Sequence, residues 1–238
     1  ELQRMKIKNK ISEILHRSPL EVSVNMKLRY APVVDKLKEL RKKNKNLKVL
    51  EIGSGSKGIT RFFKYHVPGI DIEFQEHKNK YLKEVLISPN KSYPFKDNEF
   101  DVVASVDSIE HIPRKYRGKA LKEILRVSNK YIIITCPFTI SKWDKKILTG
   151  WPKNSATYKN IKEHYDCGIP NPDEIEKEFR GCKIKIAYGV HPGLEYYIKL
   201  MERGIAGKVF ARSILKIFMP LLAAIKSESR RVYFIEKK

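Results

Sequence analysis

Cysteine is scarce. Cys136, Cys167 and Cys182 are odd in number, far apart in the chain and form no Cys-x-x-Cys pair, so neither a disulfide framework nor a zinc knuckle is indicated, and the expected setting is reducing and cytoplasmic. Long apolar runs are missing as well. No stretch reaches the roughly 18 uncharged apolar residues of a membrane-spanning helix. The segment Glu1-Leu2-Gln3-Arg4-Met5-Lys6 is too charged to read as the apolar region of a signal peptide, so a secreted or integral membrane protein is not expected. His66, His77, His111, His164 and His191 show no paired spacing such as His-x-x-x-His, and no metal site is expected from them. A serine nucleophile elbow needs G-x-S-x-G, which is absent.

Acid is also in short supply: 27 Asp and Glu stand against 49 Lys and Arg, a formal charge of +22 over 238 residues. Such an excess favours solubility and anionic partners and is silent about fold. It is concentrated at the ends, with 13 basic and 5 acidic residues in positions 1 to 46 and 9 against 2 in positions 203 to 238. Of the 49 basic residues 36 are Lys, whereas planar recognition of phosphates and bases favours Arg, and no aromatic-basic interleaving stands out. Nucleic acid therefore stays an alternative partner. What is present in quantity is core material: 42% hydrophobic residues, 10% of the chain aromatic, enough for one domain with elaborations.

The periodicity sets the architecture. Helical stripes run over Met5 to Leu15 and Ala31 to Leu40; then Leu47 to Ile52 is a short β-branched run that stops at Gly53-Ser54-Gly55-Ser56-Lys57-Gly58, with a helix pattern from Ile59 to Tyr65. Strand, glycine turn, helix is the opening unit of a doubly wound α/β sheet. Further strands are expected at Ile70 to Phe74, Val85 to Ile87, Phe100 to Val106, Tyr131 to Thr135, Lys183 to Tyr188 and Arg231 to Ile235, with a helix from about Arg117 to Val127. The chain divides into N-terminal basic helices (1–46), a core (47–137), an aromatic insertion or lid (138–172) and a helical insertion before the last strand (192–226). Within the latter, residues 204–226 mix Lys208, Arg212, Lys216 and Lys226 with apolar residues, the pattern of a helix lying on an anionic membrane surface or of one packed on the core.

The glycine string fits the G-x-G-x-x-G dinucleotide pattern, with Asp71 downstream, which keeps an NAD-dependent oxidoreductase as an alternative. Glu51, two residues before Gly53, opposes a pyrophosphate and suits a ligand carrying an ammonium group. Here Val49-Leu50-Glu51-Ile52-Gly53-Ser54-Gly55, Gly69-Ile70-Asp71-Ile72, Pro94 to Val103 and Ser105-Val106-Asp107-Ser108-Ile109-Glu110-His111-Ile112 resemble the motifs of the class I S-adenosylmethionine-dependent methyltransferases, in particular their small-molecule branch called type 11. The resemblance covers about residues 47 to 137. It implies a Rossmann-like, seven-stranded, mostly parallel sheet with an antiparallel last strand, and methyl transfer from S-adenosyl-L-methionine to an unidentified small-molecule, lipid or sugar acceptor. It also implies cofactor contacts from Glu51, Gly53, Ser54 and Gly55, a ribose clamp at Asp71 (Glu73 shares its parity), an adenine edge at Asn90 by side chain or backbone, and Ser105 as a floor below the methionine part. If the acceptor must lose a proton, His111 and His164 are the candidate bases, with Asp107, Glu110, Glu163 and Tyr165 near them in sequence.

Overall fold

The computed structural model describes residues 23–75, 79–88, 90–202, 207, 210, 221, 222 and 224–238. The helix expected at Met5 to Leu15 and most of the basic segment 204–226 lie outside the described residues.

The first described element is α1 (Val24–Lys43), whose N-cap Ser23 accepts a hydrogen bond from the Met26 N–H and whose last turn carries Arg41, Lys42 and Lys43 against the negative end of the helix dipole. It starts seven residues before the stripe at Ala31 because the Ser23 cap, not the apolar stripe, sets its origin. There follow β1 (Val49–Ile52), β2 (Val67–Asp71), β3 (Leu82–Leu86), β4 (Phe100–Val106), α2 (Arg114–Val127), β5 (Ser128–Pro137), α3 (Lys142–Gly150), α4 (Ala156–Cys167), α5 (Pro172–Glu176), β6 (Lys183–Val190), α6 (Pro192–Met201) and β7 (Lys226–Glu236).

The sheet order is β3-β2-β1-β4-β5-β7-β6. Strands β3 to β5 run parallel, and β7 is antiparallel to both β5 and β6. This is the Rossmann-like seven-stranded sheet with a reversed last strand that the sequence pattern and the resemblance led one to expect. Alternation along the central strands divides the core. Leu50, Ile52, Val103, Ile132 and Ile134 pack with Leu121, Ile124 and Val127 of α2. Val49, Val102, Ala104 and Ile133 pack with Val33, Leu37 and Leu40 of α1 on the other face. Each fully buried aliphatic side chain contributes roughly 1.5–3 kcal/mol, which fixes the register of these strands.

Three expectations shift. The helix expected from Ile59 to Tyr65 is a three-residue 3-10 turn, Ile59–Arg61, since just five residues separate it from β2 and Ile59 and Phe63 are drawn into the core. The second strand ends at Asp71 rather than Phe74, so Asp71 stands at the carboxyl edge of the sheet while Glu73 lies beyond it, exposed. The aromatic insertion is helical: Ser141 and Asp144 form a capping box for α3, Ser155 caps α4, and Asn171 caps α5 ahead of Pro172. The strand order reverses between β1 and β4, and a crevice opens at their carboxyl ends, where open α/β sheets bind ligands.

Candidate active site

The crevice is a cleft of about 1260 Å³. One wall is the bend after β1. Gly53 and Gly55 hold positive φ values of 72° and 49°, a region that glycine enters without penalty. A Cβ on Gly53 would overlap the Ser108 hydroxyl, whereas one on Gly55 would meet nothing within 4 Å among the described residues and would enter the cleft. The bend is tied down by its own amides. Gly53 and Ser54 N–H groups donate to the Ile70 carbonyl at 2.8 and 3.2 Å, and the Gly55 N–H donates to Asp71 Oδ2 at 2.6 Å. Asp71 Oδ1 accepts from the Ile72 N–H at 2.7 Å.

Glu51 is fully buried on β1 beneath the bend and does not line the cleft. Its Oε2 accepts the Ile59 N–H at 2.7 Å and its Oε1 the Tyr30 hydroxyl at 3.4 Å. Burial pushes its carboxyl up to about 8, against the lowering effect of those two donors. The ammonium contact expected of Glu51 is thus replaced by a structural one, because its strand parity points it into the protein. Ser54 lines the cleft with its hydroxyl donating to the Gly55 carbonyl at 2.9 Å. Ser105 lies in β4 between Ile52 and Ile134, buried and outside the cleft lining, its hydroxyl without a partner among the described residues. Asn90 is exposed and also outside the lining; its carbonyl accepts from Lys119, and Ile87 and Ser88 border the cleft in its place.

The opposite wall is assembled from distant segments. His111 ends the 3-10 turn Ile109–His111 that follows β4, and His164 lies on α4. The two candidate bases meet: their Nε2 atoms are 3.2 Å apart and their rings cross at 66°. His111 Nδ1 is 2.8 Å from Glu163 Oε2. Burial, and then the neighbouring His111, lower His164 to about 3, so its imidazole is neutral at pH 7. Glu110 is 1% exposed, and burial followed by the charge on Asp107 pushes it up to about 8. Tyr165 is exposed and outside the lining.

Asp107, at φ 49°, follows β4 directly and centres a charged network in the cleft. Its Oδ2 accepts from Arg29 Nη1 at 2.6 Å, and its Oδ1 accepts from Arg230 and, at 3.0 Å, from the Thr135 hydroxyl. Burial alone would raise this carboxyl; Arg230 and Arg29 outweigh it and keep it below its ordinary value. Glu195 Oε1 lies 3.3 Å from Arg230 Nε, which extends the network to α6. Arg29, Arg230 and Glu195 escaped the reading of the sequence. One signal was available: Arg230 has the parity of Val232 and Phe234 on β7, so a cation falls on a side of the strand that includes the buried Val232.

With this geometry in place, the profile of the methyltransferase-domain family matches residues 50–132. Tocopherol O-methyltransferase of the Arabidopsis thaliana chloroplast is 27% identical over 162 residues, which is 60% of this chain and 44% of that one, so the chain spans less than half the length of this curated relative. A SAM-dependent methyltransferase from Archaeoglobus fulgidus superposes with a TM-score of 0.53 at 18% identity, covering 87% of this chain and 94% of that one. Phosphoethanolamine N-methyltransferase 2 of Haemonchus contortus, in complex with S-adenosyl-L-methionine, gives 0.51 at 18% identity, covering 85% and 52%. At these identities the two superpositions speak for the fold.

Proposed function

We propose that this chain, a class I S-adenosylmethionine-dependent methyltransferase, transfers the methyl group of that cofactor to a small-molecule acceptor bound against α4 and α6. The observation that carries the reading is the state of the amides in the bend. A pyrophosphate needs free N–H donors at the glycine turn and the following helix start. Here the Gly53, Ser54, Gly55 and Ile59 amides are all taken by protein oxygens, two of them by carboxylates, and the helix itself is a single short turn. A nicotinamide dinucleotide is therefore disfavoured. A phosphate-free adenosyl amino acid asks for what remains: the Asp71 carboxylate for ribose hydroxyls, the open side of Gly55 for the backbone to approach the ligand, and Ile87 and Ser88 beside a base.

When bound, the cofactor supplies an activated methyl group on a sulfonium. The protein's part is alignment and exclusion of water, which supply most of the acceleration in such a displacement. Trp151, Ile161 and Pro192 give the acceptor side its apolar lining. His111 and His164 are assigned to the acceptor's reacting group, His111 as the candidate proton acceptor and the neutral His164 as a group that holds a polar atom.

Calorimetric titration decides between cofactors. S-adenosylhomocysteine is expected to bind at one site per chain while NADH does not bind, and Asp71→Ala is expected to lower the S-adenosylhomocysteine affinity at least 100-fold. Undiminished affinity in a folded Asp71→Ala protein removes the ribose clamp from the proposal, and NADH binding in competition with S-adenosylhomocysteine reverses the choice of cofactor.

A further inference from the structure

We infer that Glu110, His111 and His164 form a binding site for one divalent transition-metal ion of the zinc type on the acceptor wall of the cleft. Two imidazole nitrogens bound at about 2.0–2.1 Å to one tetrahedral zinc ion stand about 3.3–3.4 Å apart. Those of His111 and His164 stand 3.2 Å apart. Glu110 Oε1 is 3.9 Å from the same nitrogen of His164, and one ligand atom from each of the three residues lies within 4.8 Å of the other two. A small movement of the carboxylate closes the triangle.

Two further observations point the same way. Glu163 Oε2 at 2.8 Å from His111 Nδ1 accepts the proton there and turns the Nε2 lone pair toward His164; this is the carboxylate–histidine support that metal-binding imidazoles carry. Glu110 is buried, and its Oε2 has no hydrogen-bond partner among the described residues. A direct hydrogen bond between the imidazoles accounts for the two histidines and leaves this carboxyl group unexplained. A cation between the three groups gives the buried Glu110 carboxylate a counter-charge through Oε1, the oxygen that approaches His164. Two nitrogen donors and one oxygen donor select a borderline ion over magnesium or calcium, and three protein ligands leave coordination positions free on the cleft side. Cys167 is not part of the set, since its thiol is engaged with the His111 carbonyl at 3.3 Å.

The class of acceptor follows, and this part rests on the methyltransferase reading: the free positions suit an acceptor presenting a ligating oxygen, such as a phenolic hydroxyl or carboxylate, better than an amine, which is protonated near neutral pH. The ion would hold that oxygen and favour its deprotonated form.

The full chain, freed of any affinity tag and stripped with chelator, is titrated with Zn²⁺ by equilibrium dialysis and with Co²⁺ by visible absorption. S-adenosylhomocysteine affinity is measured on the same samples. Expected are one ion per chain, cobalt bands without a thiolate charge-transfer feature, a loss of at least tenfold in affinity for His111→Ala and His164→Ala, and about tenfold for Glu163→Gln, whose exposed side chain leaves the core untouched. Absence of stoichiometric binding to the unmutated chain, a thiolate band, or affinity unchanged in Glu163→Gln and in the histidine variants overturns the site. Metal binding lost with S-adenosylhomocysteine binding retained rejects the ion alone; the reverse rejects the cofactor reading alone.

Discussion

On the side proposed for the cofactor the cleft is shaped by main-chain amides and the carboxylates of Glu51 and Asp71, all drawn from the stretch between Glu51 and Asp71, with the contact between Gly55 and Asp71 spanning only 16 residues in sequence. On the acceptor side Asp107 is joined to Arg29 across 78 residues and to Arg230 across 123, and His111 meets His164 across 53. The first region is governed by backbone conformation, where a glycine at positive φ or a strand ending one residue earlier decides the outcome. The second is governed by buried charge, where each group is tolerable only because a partner arrives from elsewhere. The two regions should therefore fail differently when broken.

The largest effect is expected on the charged side. Asp107→Ala leaves Arg29 and Arg230 facing each other without their shared carboxylate and should cost about 3–5 kcal/mol of stability in urea denaturation. A cost below about 1 kcal/mol would mean that water already screens the network. On the backbone side, Gly53→Ala combines positive φ with overlap on Ser108 and should cost about 1–3 kcal/mol while weakening S-adenosylhomocysteine binding. Gly55→Ala sharpens the contrast. With no neighbour within 4 Å among the described residues its stability cost should stay near the roughly 1 kcal/mol of the conformation itself, yet the added methyl group enters the cleft and should reduce affinity tenfold or more. Equal stability losses at the two glycines would show that the Ser108 contact relaxes freely.

A further effect is spread over a pH window instead of appearing at one condition. Between the usual carboxylate range and about 8, folded Glu51 keeps a proton that the unfolded chain has already released, so its contribution to stability is full below the ordinary value and declines as pH rises through about 8. Glu51→Gln, which preserves the shape and can still accept the Ile59 amide, should remove up to about 1.4 kcal/mol per pH unit of this slope across that window. Denaturation at pH 5, 6, 7 and 8 measures it, and an unchanged slope would place the titrating carboxyl elsewhere.

The contrast also explains what could be read early. The strand Phe100 to Val106, the glycine bend and Asp71 were visible because a short apolar run and a glycine-rich stop are local properties. Glu51 was visible as a residue but not in its role: strand parity gives it an inward face, while the groups that hold it there, the Tyr30 hydroxyl and the Ile59 amide, come from α1 and the 3-10 turn. Asn90 and Ser105 were placed by resemblance of spacing, and neither lines the cleft: Ser105 is buried within the sheet and Asn90 lies exposed after Ile87 and Ser88. The two histidines were each legible as candidate proton acceptors, while their contact was not, because residues 138–172 fold into helices that carry His164 back over the end of β4.

What the chain order settled unaided is the winding of the sheet and the site of its opening bend: these follow from which short segments alternate and where Cβ atoms are missing. Which carboxylates lie in the interior, which cations neutralise them, and that Glu110 and two histidines converge on one point were decided by packing alone. A charge becomes costly, and therefore specific, when the fold has removed the water around it, and no neighbouring residue in sequence records that removal.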